Sequence, residues 1–226
     1  MKLLMFVRED FAFLQHRLPI ARAAQEIGYE VNVLTIDNGR FEEIAQLGFQ
    51  PHKILSPFAR VTIFAMPLAI LSLVIAFWKI KPNIVHLSST YCCILGAFVG
   101  LFYRRVPTII AFTGLGYIFT SNNFLVKTGL RLAIPFLALL WNRSNMFPLF
   151  QNRDDEAELR RLKLSMRSEK ILPGAGVDTK KFQPRKKQVE QTAFVVGCAS
   201  RLLRDKGIQD LVQAMQELQQ KNPHIK

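Results

Sequence analysis

The sequence is poor in cysteine, with 3 among 226 residues. Cys92 and Cys93 are adjacent and Cys198 lies far from them. This distribution excludes a disulfide framework, and it also excludes the spaced cysteine pairs of a structural zinc site. The simplest inference is a protein of the reducing cytoplasm.

Glycine is missing where a dinucleotide-binding protein needs it. A buried strand is predicted at residues 2–7, a loop at 8–15 and a helix at 16–27, with no glycine between the strand and the helix. The glycine-rich turn that brings the backbone close to a pyrophosphate in nicotinamide and flavin enzymes is therefore absent. We expect no such cofactor.

Acidic residues are also few, since 30 Lys and Arg stand against 17 Asp and Glu and the net charge is +13. Half of the residues are hydrophobic. Positive charge combined with apolar surface favours an anionic membrane surface as a partner. Nucleic acid is a weaker alternative, because no helix-turn-helix, zinc or aromatic RNA-binding motif accompanies the charge. The apolar run at 1–7 is too short for a signal peptide, so we expect a cytoplasmic protein at the inner membrane face.

Predicted strands and helices alternate along most of the chain. The strands are at 2–7, 31–36, 49–55, 84–87, 107–112, 145–150 and 169–172, and the helices are at 16–27, 41–46, 61–80, 91–102, 124–141 and, capped by Asp154, up to 164. This alternation predicts an α/β fold with a parallel sheet and right-handed crossovers. The charged segment 179–191 predicts a linker. After it, a strand at 194–199 and a helix at 210–218 predict the start of a second, similar unit.

Two predicted helices are apolar enough to cross or contact a membrane. Residues 61–80 have about the length of a bilayer span, but Pro67 and Ser72 interrupt the run, and a span would separate the strands on either side of it. We therefore favour a helix packed on the sheet or at an interface. In the helix at 124–141, Lys127 and Arg131 share a face and could contact lipid headgroups. A core helix with a solvated stripe is equally consistent.

A basic loop lies between the last predicted strand and the last predicted helix. It carries Arg201 and Lys206. A helix N-terminus offers free amides and the positive end of a dipole, and two cations would add to both. The loop is a candidate diphosphate site, although a solvated basic loop accounts for the same residues.

Several short motifs together resemble those of retaining GT-B glycosyltransferases of the family 4 type. In order along the chain they are strand 1 with Arg17, residues 81–86, the Thr-Gly-Leu-Gly-Tyr turn at 113–117, Gln151 with Asn152, the Gly-rich segment 174–178 with Phe182 and Pro184, and Arg201 with Lys206 and Gly207. The chain is most similar to the members that extend polyprenyl-diphosphate-linked sugars. The resemblance implies a GT-B-type Rossmann-like acceptor domain at 1–183. From 184 it implies the first strand and helix of a nucleotide-sugar domain, which we expect to be incomplete because its Glu-rich motif is absent.

The resemblance also implies an activity and a set of site residues. The activity is hexosyl or N-acetylhexosaminyl transfer from a nucleoside diphosphate sugar to a polyprenyl-diphosphate-linked saccharide, without a cofactor or metal. Arg201 and Lys206 would stabilise the departing donor diphosphate. The candidate acceptor or cleft-lining residues are Asp10, His16, Arg17, Gly114, Gly116 and Asn152.

The residues themselves leave simpler explanations open. Arg17 could be a solvated residue at a helix start, the glycines could form a plain tight turn, and Asn152 could be a helix cap. His86, in a predicted strand, is expected to be a core histidine, and no pair of catalytic carboxylates is evident. The alternative to an enzyme is a membrane-associated binding module or a non-functional remnant.

Overall fold

The computed structural model describes residues 1–55, 66–116, 119, 121, 123–164, 170–174, 176–184, 195–200, 202 and 206–222. The chain divides into two compact units, Met1–Gly176 and Val177–Lys226. The assignment of 1–183 to acceptor binding and of 184–226 to donor binding remains a prediction.

The first unit is a seven-stranded parallel sheet with helices on both faces. Its elements are β1 Lys2–Glu9, α1 Asp10–His16, α2 Leu18–Glu26, β2 Glu30–Ile36, α3 Phe41–Gln46, β3 Gln50–Lys53, α4 Met66–Ile80, β4 Ile84–Ser88, α5 Thr90–Val99, β5 Thr108–Phe112, α6 Phe124–Trp141, β6 Met146–Phe150, α7 Arg153–Arg161 and β7 Lys170–Ile171. The strand order is β3-β2-β1-β4-β5-β6-β7, and all pairs are parallel. The predicted α/β class with a parallel sheet is confirmed.

The two faces of the sheet have separate apolar cores. Because side chains alternate along a strand, Leu3, Met5 and Val7 of β1 pack with Phe13 of α1 on one face, while Leu4 and Phe6 pack on the other. The second face also carries α4, α5 and α6. There the Phe112 ring stacks on Phe150 at 5.2 Å between ring centroids and meets the edge of Trp141 at 5.0 Å.

The predicted helix at 16–27 is wrong at its start, since the chain forms two helices that meet at Arg17. Residues 10–16, predicted as part of a loop and the first helical residue, form α1. Pro19 lies at the beginning of α2. Proline lacks an amide hydrogen and is best accommodated in the first turn of a helix, so a new helix begins just before it.

The helix predicted at 61–80 packs on the sheet over its described residues. Leu73 and Phe77 of α4 are buried in the larger core. The strands before and after it, β3 and β4, belong to the same sheet, as the packed-helix interpretation requires. Residues 61–65 lie outside the described part of the chain.

In the second unit, the predicted helix is present and the predicted strand is not. The helix α8 comprises Ile208–Lys221. Residues 195–200 form no strand and are exposed, with Val195 63% accessible; residue 194 lies outside the described residues. A strand needs neighbours for its backbone groups, and the described residues of this unit provide none.

Candidate functional site

The strand order reverses between β1 and β4, and a set of polar side chains lies where these two strands end. Val7 of β1 is paired with Ser88 of β4, so the segments that follow the two strands leave the same edge. From β1 the chain continues into α1 and Arg17, and from β4 it passes through Ser89 into α5. In open α/β sheets, ligands bind outside the carboxyl ends of the strands at such a switch point.

Arg17 lies at this edge, buried between α1 and α2. Its backbone N–H donates to Phe13 O at 2.8 Å and its carbonyl accepts from Ala21 N at 3.0 Å. The residue is only 7% exposed, and burial lowers the pKa of its guanidinium. Among the described residues, that guanidinium has no hydrogen bond or ion pair. Arg17 is thus a buried cation and not the solvated residue of the simpler explanation, and a buried cation is unfavourable unless an anion accompanies it.

His86 is a buried residue with one unused ring nitrogen. It is 2% exposed, as a core histidine should be, and its Nδ1 lies 3.2 Å from Ser88 Oγ. Its Nε2 is buried and has no partner within the described part of the chain. Burial, helped by the nearby Arg17 charge, lowers the pKa of His86 to about 4. The imidazole is therefore neutral at physiological pH, and Arg17 is close enough to influence it.

Ser89 connects β4 to α5 in a conformation that is unusual for a residue with a side chain. Its φ is 88°, and its side chain makes no capping hydrogen bond. The buried Oγ has no hydrogen-bond partner of normal geometry among the described residues. Burial raises the pKa of the Cys92 thiol to about 12, which the nearby Ser89 hydroxyl opposes, but a thiol is only a weak hydrogen-bonding group. Ser89 therefore brings a hydroxyl to the start of α5 without using it there.

The predicted glycine turn lies beside the same helix. The Thr90 hydroxyl is 3.1 Å from both Gly114 O and Leu115 O, which connects the turn after β5 to the first residue of α5. Gly114 and Gly116 have φ values of 120° and 72°, where glycine is favoured. A Cβ at either position would meet nothing within 4 Å, so the backbone there borders open space.

Asp10 has a structural role that its sequence position did not reveal. It is fully buried, and its Oδ2 accepts from the backbone N–H groups of Asn38 at 2.7 Å and Arg40 at 3.1 Å. Its Oδ1 accepts from Phe11 N at 2.6 Å and Asn38 Nδ2 at 3.3 Å. Because both oxygens hold the turn between β2 and α3, the predicted contact of Asp10 with an acceptor hydroxyl is a misinterpretation.

Two further candidates lie on the surface of the first unit. His16, the last residue of α1, is exposed. Asn152 is the N-cap of α7, with its Oδ1 accepting from Asp155 N at 2.7 Å. The cap predicted at Asp154 is wrong, since Asp154 lies in the first turn of the helix. The simpler explanation of Asn152 as a cap therefore accounts for its side chain.

The predicted donor-diphosphate residues belong to the second unit. Lys206 is exposed and directly precedes Gly207, the N-cap of α8, which has a φ of 64°. Arg201 lies outside the described residues, so their pairing on a diphosphate stays a prediction. Within the described part of the chain, no group of three or more His, Cys, Asp or Glu could hold a metal ion.

Arg17 was predicted at this edge from the sequence. Ser89 was not predicted as a site residue, and His86 was predicted as a core histidine and not as a ligand contact. One signal was available, since Ser88, Ser89 and Thr90 directly follow an apolar strand and precede a helix. That pattern is typical of a helix start with capping groups. Whether the hydroxyls are used as caps depends on the tertiary structure, which the pattern does not give.

Comparisons with known proteins agree with this fold. The family model described as glycosyl transferase 4-like matches residues 2–144. A search of curated proteins gives no match. Among solved structures, the chain is similar to Anabaena Alr3699/HepE in complex with UDP and glucose, with 19% identity, a TM-score of 0.69, and coverage of 100% of this chain and 60% of that one.

Two other solved structures show the same architecture. Sucrose-phosphate synthase from Thermosynechococcus elongatus has 15% identity and a TM-score of 0.63, with 95% of this chain and 59% of that one covered. The MnaA–UDP co-structure from S. aureus has 14% identity and a TM-score of 0.61, with 100% and 61% covered. The chain thus spans about 60% of the length of these proteins.

Proposed function

This chain belongs to the glycosyl transferase 4-like family, and from that premise we propose that it transfers a sugar from a nucleoside diphosphate donor to a polyprenyl-diphosphate-linked saccharide. The observation that carries the acceptor assignment is the buried Arg17 at the switch point of the sheet, whose guanidinium has no partner among the described residues. A guanidinium recognises phosphoryl oxygens through paired hydrogen bonds. The acceptor's diphosphate is the anion that this cation would accompany.

The donor half of the proposal depends on Arg201 and Lys206. Two of the similar structures contain UDP, one of them together with glucose, which supports a nucleotide sugar as donor. In the proposed retaining reaction, the bond between the sugar and the donor diphosphate breaks as the acceptor hydroxyl attacks. The hydroxyl proton passes to the departing diphosphate, and the two cations stabilise the growing charge there.

The proposed acceptor is a lipid, and α6 supplies a surface for a membrane. Leu125, Leu132 and Leu139 are spaced by seven residues, so they share one helix face, and they are 77%, 79% and 64% exposed. Lys127 and Arg131 are exposed on the same helix. Apolar side chains together with cations favour an anionic lipid surface. We therefore place the protein at the cytoplasmic face of a membrane.

In this proposal α6 lies along the membrane and does not cross it. Within the described part of the chain, it is the one helix whose length and composition would allow a crossing. However, the strands on either side of it, β5 and β6, are paired in parallel from Thr108 to Phe112. A crossing helix between them would leave these strands on opposite sides of the bilayer, where they could not pair.

A second candidate function is binding of the lipid-linked acceptor without sugar transfer. The feature that favours it is that Arg17, Ser89 and the exposed face of α6 all lie in the unit Met1–Gly176. Binding by these residues would not depend on Arg201 or Lys206.

The test is incubation of the protein with a panel of nucleotide sugars and a short-chain polyprenyl-diphosphate sugar, followed by mass spectrometry of the lipid fraction. We expect the lipid to gain one sugar from one donor. Arg201→Ala and Lys206→Ala should each slow transfer roughly a hundredfold, the effect of losing about 3 kcal/mol of transition-state stabilisation. Lipid binding without transfer from any donor would favour the second candidate.

A further inference from the structure

We propose that Arg17, His86 and Ser89 form a phosphoryl-binding subsite at the N-terminus of α5, and that it holds the diphosphate of the lipid-linked acceptor. The identity of that acceptor rests on the proposed function. The subsite itself rests on the buried Arg17, which has no hydrogen bond or ion pair among the described residues, on the unpartnered Nε2 of His86, and on the Ser89 hydroxyl, which lies beside the weakly hydrogen-bonding Cys92 thiol.

Arg17 has no anionic partner among the described residues. Two carboxylates lie nearby in the chain, and both are occupied. Asp10 accepts hydrogen bonds at the turn between β2 and α3, and Glu9 lies 3.5 Å from the guanidinium of Arg8. A buried guanidinium without a counter-ion destabilises the folded chain. A bound phosphoryl group would remove that unfavourable energy.

The helix α5 has 10 residues and begins directly after its N-cap residue, Ser89. An α-helix leaves its first amides without intrahelical partners, and its N-terminus attracts anions. Ser89 would normally cap these amides, but its side chain does not do so. Its positive φ is an unfavourable conformation of the kind that is found at ligand sites. In the proposed subsite, the uncapped turn and the Ser89 hydroxyl are donors to the phosphoryl group.

His86 has one buried ring nitrogen, Nε2, without a hydrogen-bond partner among the described residues. Its alternation with Ile84 and Ser88 places it on the sheet face that α1 and α2 cover. When the Ser88 hydroxyl donates to Nδ1, the ring proton is on Nε2. Nε2 is then a neutral donor near the Arg17 charge, suited to an anionic oxygen. In this arrangement His86 binds the diphosphate and has no acid or base role.

Thermal unfolding of the full chain in increasing concentrations of inorganic diphosphate tests the subsite, with chloride to equalise ionic strength. Ligand that binds the folded state raises the melting temperature. We expect Arg17→Met to weaken diphosphate binding roughly a hundredfold and Ser89→Ala or His86→Gln about tenfold. Without diphosphate, Arg17→Met should unfold at the same or a higher temperature than the wild type, because it removes an unpaired buried charge.

The matched control is Arg22→Met, which removes an exposed charge from α2 and should leave diphosphate binding unchanged. If Arg17→Met does not fold, Ser89→Ala and His86→Gln carry the test. Diphosphate binding that is equal in the wild type and in all three subsite variants would overturn the inference. So would an equal loss in Arg22→Met, which would indicate general charge attraction.

Three ligands identify the source of the phosphoryl group. A short-chain polyprenyl diphosphate should compete with inorganic diphosphate and lose affinity in Arg17→Met, while UDP should be unaffected by that change. A loss of UDP affinity with unchanged lipid affinity would overturn the acceptor assignment. If Arg17 and Ser89 bind diphosphate and no sugar is transferred, only the proposed function fails. If sugar is transferred and Arg17→Met leaves the acceptor KM unchanged, only this inference fails.

Discussion

The two faces of the central sheet differ in what they bury. The face covered by α4, α5 and α6 holds a continuous apolar core in which the Phe112, Trp141 and Phe150 rings are in contact. The face covered by α1, α2 and α3 holds a smaller core, and at the carboxyl edge it buries Arg17 and His86 instead of apolar groups. The larger face therefore supplies most of the stability, and the edge of the smaller face is left for binding.

The largest expected effect is on the free energy of unfolding when one buried phenylalanine from each face is replaced by alanine. Phe112 and Phe13 are both fully buried, but among the described residues the Phe112 ring contacts two aromatic rings and the Phe13 ring contacts one, that of Phe49. We expect Phe112→Ala to lower the free energy of unfolding by about 4 to 5 kcal/mol and Phe13→Ala by about 3 kcal/mol. Denaturant unfolding measures both, and a larger loss in Phe13→Ala would reverse the comparison.

The next effect is on a polar group of the smaller face. Asp10→Ala leaves the part-buried N–H groups of Asn38 and Arg40 without their acceptor. We expect a loss of about 2 to 4 kcal/mol in the free energy of unfolding, with Asp10→Asn less affected because one oxygen remains. Should Asp10→Ala keep its stability and lose only acceptor affinity, Asp10 would return to the list of ligand contacts.

A smaller effect, dependent on pH, comes from His86. Its folded pKa of about 4 lies below the usual 6.5, so the unfolded chain takes up a proton that the folded chain does not. Above pH 6.5 the imidazole is neutral in both the folded and the unfolded chain, so it does not lower the free energy of unfolding. As the pH drops from 6.5 towards 4, the free energy of unfolding falls. The loss attributable to this group is up to about 3 kcal/mol.

The measurement is the free energy of unfolding against pH for the wild type and His86→Gln. The variant should show a shallower fall, although part will remain because burial also lowers the pKa of His52. His16→Gln, at an exposed position, is the matched control and should follow the wild type. Identical slopes in the wild type and His86→Gln would show that the imidazole is not buried in its neutral form.

The smallest effect concerns the outer surface of the larger face. Replacing Lys127 and Arg131 with Gln should weaken binding to anionic vesicles about thirtyfold, at about 1 kcal/mol for each charge. Added salt should reduce the difference, because it screens surface charges. Flotation of vesicles measures the binding. Lys180→Gln with Lys181→Gln removes the same charge elsewhere, and an equal loss there would mean that α6 is not the membrane surface.

The sequence predicted an element best where signals within that element are enough to determine its structure. The helices 41–46 and 124–141 begin and end as predicted, because their hydrophobic periodicity and flanking polar residues are local signals. The break at Arg17 was missed although Pro19 marks it. The predicted strand at 194–199 failed over its described residues because a strand depends on partners that its own residues do not specify.

The candidate site was predictable in position and not in its interactions. Arg17 follows strand 1, so topology alone brings it to the carboxyl edge. Its burial, with no partner among the described residues, depends on the packing of α1 and α2 against the sheet. The pairing of Asp10 with the turn at 37–40 likewise depends on tertiary structure. These contacts join residues far apart in the chain, and no single motif contains them.

The central claim is that this edge recognises the diphosphate of a lipid-linked acceptor for sugar transfer. The most direct test compares two acceptors that carry the same sugar, one on a short polyprenyl diphosphate and one on an uncharged alkyl chain. We predict that kcat/KM for transfer is at least about a hundredfold higher with the diphosphate acceptor. Equal values for the two acceptors would contradict the account, because the buried Arg17 would then have no part in recognising the substrate.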